Sequence, residues 1–364
     1  MQFSLNEEQT QLQDSVRRWV QKNYGFAQRR VIERSDDGIS RNHWATMAEL
    51  GWLAAAFPEE VGGTGLGFIE LAALAEEMGR ALVPGAFLSN LFAGAVLHAT
   101  GATKHLAAIS NGEKTATVAL LESSASWDPA AVHMPTLAGE KLFVPDAESA
   151  DLIVVAALDA NALALYLVEG HAVKKTLMPA MDLTRRIYKV EFDHPAAELL
   201  AKGDAARKAL DHALNVATVA LSAEMTGGMQ RMLDIAVEYA KTRKQFGKPI
   251  GQYQAVQHQC TDMLLFTESS RSAAYYAAYT MTEESADAST AVSIAKAYAS
   301  DACRETGNRA VQVQGGMGFT WENDVHLYYR RAKASETAFG DATFHRERIA
   351  HTVIGSANVS ASNA

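Results

Sequence analysis

The stretch RKQFGKPIGQYQAVQH, Arg243 to His258, gathers residue types suited to gripping an anion. Gly247 and Pro249 stop a helix and turn the chain, and Gly251 permits a second turn. Arg243 then stands near the mouth of the turn, where a planar guanidinium suits a bidentate carboxylate or phosphate. Gln245 and Gln254 offer amide donors, and Phe246 offers a flat apolar face. Together they describe a grip on an anionic, aromatic ligand. The plainer alternative is a helix hairpin with an exposed Arg243 and a buried Phe246. A second stretch, AVQVQGGMGFTWEND, runs from Ala310 to Asp324. Gly315, Gly316 and Gly318 let a backbone or ligand come close, and Gln312 and Gln314 stand beside them as donors. A helix precedes these glycines rather than a strand, so they form no dinucleotide fingerprint. Their plainer alternative is a helix C-cap followed by a turn.

Stepping outward, helices must hold both stretches. Ser4 and Glu7 make a capping-box pattern ahead of Leu12, Val16, Trp19 and Val20. Another helix is expected near NHWATMAELGW. The glycine-rich loop FPEEVGGTGLG then leads into Phe68, Leu71, Ala75, Met78 and Leu82 at helical spacing. The texture changes near Thr115. TATVALLES, EKLFVP, ADLIVVAAL, ALALYLVEG and RIYKVEF are short runs separated by turn-like NGEK, AGE and LDAN, which predicts a small antiparallel β domain. Helical texture returns near Asp204. Ala205 to Lys241 reads as one long helix or two, with Gly227 and Gly228 as the weak point. Further helices are expected from about Tyr253 to Met281 and from about Ser289 to Val313, and the tail SANVSASNA is expected to fray. The expected fold class is α+β: a helical domain at 1–112, a β domain at 113–198 and a C-terminal helical bundle at 199–364.

Composition narrows the function. Among 364 residues, Lys and Arg number 33 and Asp and Glu 42, a net charge of −9. Such a surface argues against nucleic acid and anionic membrane as partners. Cys260 and Cys303 alone make no disulfide framework, which points to a reducing cytoplasm. MQFSLNEEQTQLQDSV is not expected to be a signal peptide, and no run of about 18 apolar residues predicts a membrane span. No His, Cys and Asp cluster has metal-ligand spacing, and no GxSxG supports a serine nucleophile.

Taken together, the two stretches resemble the acyl-CoA dehydrogenase family, in which RxQFGxPI…Q and QxxGGxG recur about seventy residues apart in the C-terminal helical domain. AELGWLAAAFPEEVGGTGLG with AEEMGRAL is similar to that family's first helical domain, and LAGEKLFVPDAESADLIVVAA to its β domain. The resemblance implies an N-terminal helical domain, a middle antiparallel β domain and a C-terminal four-helix bundle. It implies FAD held between the β domain of one subunit and the C-terminal helices of a neighbour. Arg243, Gln245 and Phe246 would face its diphosphate and adenine side, Gln254 would line the same groove, and Gln312, Gly315 and Gly316 would meet the adenosine diphosphate of the neighbour's FAD. It also implies oxidation of an acyl-CoA thioester to the 2,3-enoyl-CoA, with electron-transfer flavoprotein as acceptor. A carboxylate removes the proton beside the carbonyl, hydrogen bonds to the thioester oxygen stabilise the developing enolate, and hydride leaves for the flavin.

This chain departs from the family pattern where that base belongs. In RRAKASETAFGDATFH, the position of the family's Glu holds Phe339. The alternative position on the preceding long helix holds Ala217. Asp341 and Glu224 are the nearby carboxylates, with Asp341 the better substitute base and His345 four residues beyond it. In the β domain, VALLESSASWDP keeps Glu122 and Asp128 but has Leu121 where the family has Thr, and KLFVPD has no Thr for the flavin ring. The pattern is similar to the small subunits of two-chain enzymes acting on pimeloyl-CoA or steroid side-chain CoA thioesters. It leads to the expectation of an α2β2 complex with a larger, base-bearing subunit. A homotetramer using Asp341 and a flavin-free assembly or regulatory subunit are the other readings.

Overall fold

The computed structural model describes residues 5–355. Ser4 and the tail SANVSASNA lie outside them. Helix α1 (Glu7–Asn23) starts from Asn6 instead. The Asn6 side chain accepts the Gln9 N–H at 2.8 Å, and the Gln9 side chain accepts the Asn6 N–H at 2.9 Å, a reciprocal box. Five helices follow: α2 (Phe26–Glu33), α3 (Arg41–Glu49), α4 (Phe68–Arg80), α5 (Phe87–Ala99) and α6 (Thr103–Ser110).

Strands β1 (Ala116–Ala119), β2 (Ala138–Pro145), β3 (Leu152–Asp159), β4 (Ala162–Glu169), β5 (Lys174–Met178), β6 (Ile187–Asp193) and β7 (Ala197–Lys202) build two sheets. One has the order β1-β3-β4-β7 and the other β2-β6-β5. The expected antiparallel pairing holds for every pair in them but one. β1 runs parallel to β3, with Ala116 opposite Leu152, because the chain between them detours through β2 in the other sheet. AGE, expected as a turn, is the start of β2. Ile153, Val155, Val168, Val190 and Phe192, drawn from both sheets, close one apolar core.

From Asp204 the chain is mostly helical: α7 (Asp204–Thr242), α8 (Gln254–Thr282), α9 (Ala288–Gln314), α10 (Val325–Thr337) and α11 (Ala342–Ile354). A two-stranded hairpin, β8 (Lys244–Gln245) and β9 (Lys248–Pro249), separates α7 from α8. α7 is a single helix through Gly227 and Gly228. Glycine stands at 227 because α4 crosses there at backbone contact: a Cβ would lie 1.7 Å from the Glu76 carbonyl oxygen. α7, α8, α9 and α10 pack on one another, tied by Gln230 to Arg271, Cys303 to the Met225 carbonyl and Glu224 to Arg331.

Contacts group the described residues into two compact units. One comprises the chain up to Phe26, Phe68–Val83 and everything from Thr218 onward, and the other Ala27–Gly67 and Pro84–Ala217. Both units draw on the segment expected to be the first helical domain.

Candidate functional site

In the helical unit, the break after α7 is a tight hairpin. Lys244 pairs with Pro249 and Gln245 with Lys248, leaving Phe246 and Gly247 at the tip with φ of +53° and +82°. Two left-handed residues in a row match the turn that two-residue hairpins favour, and Gly247 adopts it without strain. The tip is pinned from below. The Arg243 carbonyl accepts the Ile250 N–H at 2.9 Å, and the Tyr253 hydroxyl donates to the Gln245 carbonyl at 3.2 Å. The Arg243 guanidinium itself has no ion-pair partner among the described residues. Phe246 is 92% exposed, so the buried phenylalanine of the plainer reading is not what this turn contains. Gln245 and Gln254 are exposed as well.

α9 ends at Gln314, and a turn of 3-10 helix, Gly315–Phe319, follows. Gly315 has φ +59°, and a Cβ on either Gly315 or Gly316 would meet nothing within 4 Å. The backbone here is open to an approaching group, and Gln312 stands exposed one turn earlier. An exposed guanidinium without a partner, exposed amides and a bare glycine backbone fit a diphosphate.

The link between α10 and α11 carries Phe339, which stands where the resemblance implies the family's base. Phe339 is buried, with φ +56°, and Gly340 follows at +96°. Side chains capture two carbonyls of this link and one from the last turn of α10. Lys296 Nζ donates to the Glu336 carbonyl at 3.1 Å, the Gly340 carbonyl at 2.8 Å and Ser300 Oγ at 2.9 Å, and His345 Nε2–H donates to the Phe339 carbonyl at 2.9 Å. Burial pulls the Lys296 ammonium down to about 7, against the opposing pull of Asp341 and Glu336. Burial, aided by the charges of Lys296 and Arg348, pulls His345 down to about 3, so it is a neutral donor. Asp341 is exposed and caps α11, its Oδ1 accepting the Phe344 N–H at 2.8 Å. Glu224 is buried and bound to Arg331 Nη1 at 2.7 Å. Ala217 is buried too.

In the β unit, the acids kept by the sequence are structural. Glu122 accepts from Lys141 Nζ at 2.6 Å and from the His133 and Met134 amides at 3.1 and 3.0 Å. Burial alone would raise the Glu122 carboxyl, but these donors outweigh it and hold the group below its ordinary range. Asp128 caps the short turn at Pro129–Ala131. Leu121 is buried. Lys296, Arg331 and Lys141 were missed by sequence reasoning. Lys296 carried a signal, since it interrupts an apolar stripe of Ala291, Val292, Ala295 and Ala299.

The chain matches the acyl-CoA dehydrogenase N-terminal domain over residues 6–106 and the C-terminal domain over residues 207–354. It is 30% identical over 337 residues to Acyl-CoA dehydrogenase IpdE2 of Mycolicibacterium smegmatis, covering 92% of this chain and 96% of that protein. It is also 30% identical to Acyl-CoA dehydrogenase FadE34 of Mycobacterium tuberculosis, over 91% of this chain but 46% of that longer protein. Among solved structures, a variant of the Tcur3481-Tcur3483 steroid ACAD superposes with a TM-score of 0.86 at 28% identity, covering 96% of this chain and 99% of that one. The ChsE4-ChsE5 complex from Mycobacterium tuberculosis superposes with a TM-score of 0.87 at 25% identity, covering 98% and 100%. The fold, the hairpin, the glycine turn and these likenesses agree: the chain belongs to the acyl-CoA dehydrogenase family, oxidoreductases that act on CH–CH bonds with FAD.

Proposed function

We propose that this chain is the base-less subunit of a two-chain acyl-CoA dehydrogenase, assembled as a heterotetramer with a larger homologue. The observation that carries the reading is Phe339. Phe339 and Gly340 are buried and their carbonyls are held by side chains, and a phenyl ring can take no proton. Asp341 does not readily replace it, because its carboxylate is engaged in capping α11. Glu224 is committed to Arg331 in the core.

What the chain does supply is a diphosphate grip. Arg243 offsets the negative charge, Gln245, Gln254 and Gln312 donate, and Gly315 and Gly316 admit the backbone of the site to close range. Phe246 offers its face to the adenine side. Held by these residues, FAD would supply the acceptor for the hydride of the acyl chain. The proton beside the thioester carbonyl goes to a carboxylate that the larger subunit brings. Substrates are acyl-CoA thioesters. The likenesses to a steroid ACAD and to the ChsE4-ChsE5 complex favour a bulky acyl group, such as a steroid side chain, and a two-chain assembly. Electron-transfer flavoprotein is the proposed acceptor, and the cytoplasm the proposed location.

The test is co-purification. Made together with a larger homologue, the chain is expected in a yellow complex whose flavin bleaches on addition of acyl-CoA. Made alone, it is expected to be colourless. In the complex, Arg243→Ala should weaken flavin retention about tenfold or more, the scale of one charge-assisted hydrogen-bonding group. A chain that binds flavin and bleaches on its own would overturn the proposal.

A further inference from the structure

Beside the glycine turn lies a cavity of about 470 Å³ that the flavin reading does not use, and none of the seven expected cofactor contacts lines it. Its walls come from the end of α7 (Glu238, Tyr239, Thr242), the end of α9 (Gln314) and the segment entering α10 (Glu322, Asn323). Its volume falls in the usual range of ligand pockets, about 300–1,000 Å³.

Three observations define its chemistry. First, two long helices end there, α7 at Thr242 and α9 at Gln314, and each C-terminus carries partial negative charge. Second, four carboxylates line it, Asp234, Glu238, Glu322 and Asp324, against the one cation Arg231. Asp234 is bound to Arg80 at 2.6 Å and Glu238 to Lys241 at 2.7 Å, the latter an exposed and screened pair. Glu322 has no partner among the described residues. Arg231 stands eleven residues before Thr242, roughly 16 Å up the helix, so the anionic end near the helix termini is distinct from it. Third, Gln314 is 4% exposed and its Nε2 has no partner. The hydrogen bonds settle its orientation. Asn323 Oδ1 accepts the Val325 N–H at 2.9 Å, so Asn323 Nδ2 is the group that donates to Gln314 Oε1. The free end of Gln314 is therefore a donor without an acceptor, a costly state for a buried amide.

No group of three or more His, Cys, Asp or Glu among the described residues is arranged to hold a metal ion. The cavity instead asks for an organic cation with a hydrogen-bond acceptor close by. A basic side chain and the main-chain carbonyl beside it supply both. Phe319 and Trp321, 77% and 68% exposed, run along the same segment, and exposed aromatics of this kind are enriched where protein chains meet. We propose that this cavity receives a lysine or arginine side chain of the neighbouring protomer, with Gln314 Nε2–H donating to the adjoining carbonyl. The proposal deepens the two-chain reading and rests on it for the identity of that neighbour.

The test uses the oligomer as purified. Glu238 and Glu322 are exposed, so the double variant Glu238→Gln/Glu322→Gln should keep its fold and melting temperature. Dissociation on dilution, followed by mass photometry at low and high salt, should become about tenfold easier at low salt and lose most of its salt dependence. Gln314→Met, which keeps the bulk and removes the donor, should weaken association a few-fold at both salts. Association within twofold of the parent in both variants overturns the proposal. If the oligomer contains this chain alone, the two-chain reading fails, and the same comparison still tests the cavity between identical copies.

Discussion

His345 is buried between α9 and the 339–341 link, with Ser293 Oγ 3.3 Å from its Nδ1 and the Phe339 carbonyl 2.9 Å from its Nε2. Its folded value of about 3 lies well below the ordinary 6.5. Between those values the unfolded chain holds a proton that the folded chain lacks. Stability therefore falls as the pH drops from 6.5 towards 3, by up to about 1.4 kcal/mol per pH unit from this group. Lys296 works with the same sign in another window. Between about 7 and 10.5 the unfolded chain again holds the extra proton, so stability climbs as the pH rises. Urea unfolding of His345→Gln against pH should show a shallower slope between about 6.5 and 4, by close to one proton. A parent-like slope would show that His345 already titrates normally in the fold. That a phenylalanine, Phe339, stands where the resemblance implies a base was legible in the sequence by counting alone. The capping role of Asp341 is harder to read from sequence, since a cap depends on where the next helix begins. The partners of Lys296, forty and forty-four residues away, depend on how α9 and α10 pack, which no local pattern records.

At the scale of elements, the crossing of α4 and α7 gives the sharpest prediction. Gly227→Ala would drive a methyl into the Glu76 carbonyl and should cost at least about 3 kcal/mol, seen as a lower denaturation midpoint. At Gly228 the nearest atom to an added Cβ is 3.9 Å away, so Gly228→Ala should be neutral or stabilising by up to about 1 kcal/mol. A pair of adjacent glycines with opposite responses separates close packing from helix propensity. From the sequence alone the two glycines left one helix or two open, because propensity was visible and the approaching backbone of α4 was not. The long helices were legible to within a residue or two, since their periodic apolar faces run for many turns: Gln254–Thr282 against an expected Tyr253–Met281. β5 and β7 were missed for the opposite reason. Both are short and largely exposed, and KKTLM and AELLAK show no alternation of polar and apolar residues. The parallel placement of β1 beside β3 was also hidden, because it depends on which sheet the intervening strand joins.

For the whole molecule, the helices that lead into the two motifs are neighbours in the fold: the last turns of α7 and α9 wall one cavity. Their spacing in the sequence supported the family, but that cavity and its orphaned amide came only from the packed helices. The prediction at this scale is compositional. Flavin content per mole of this chain should be close to zero in single-chain preparations and rise in step with the amount of larger homologue recovered, as absorbance and protein mass together would show. The hairpin tip adds a cellular corollary. A phenyl ring held out at 92% exposure on a rigid two-residue bend, with Phe319 and Trp321 also uncovered, leaves an unpaired copy sticky. Surplus chains would draw chaperones or clump, so cells that use this protein gain by matching its synthesis to that of whatever covers those rings.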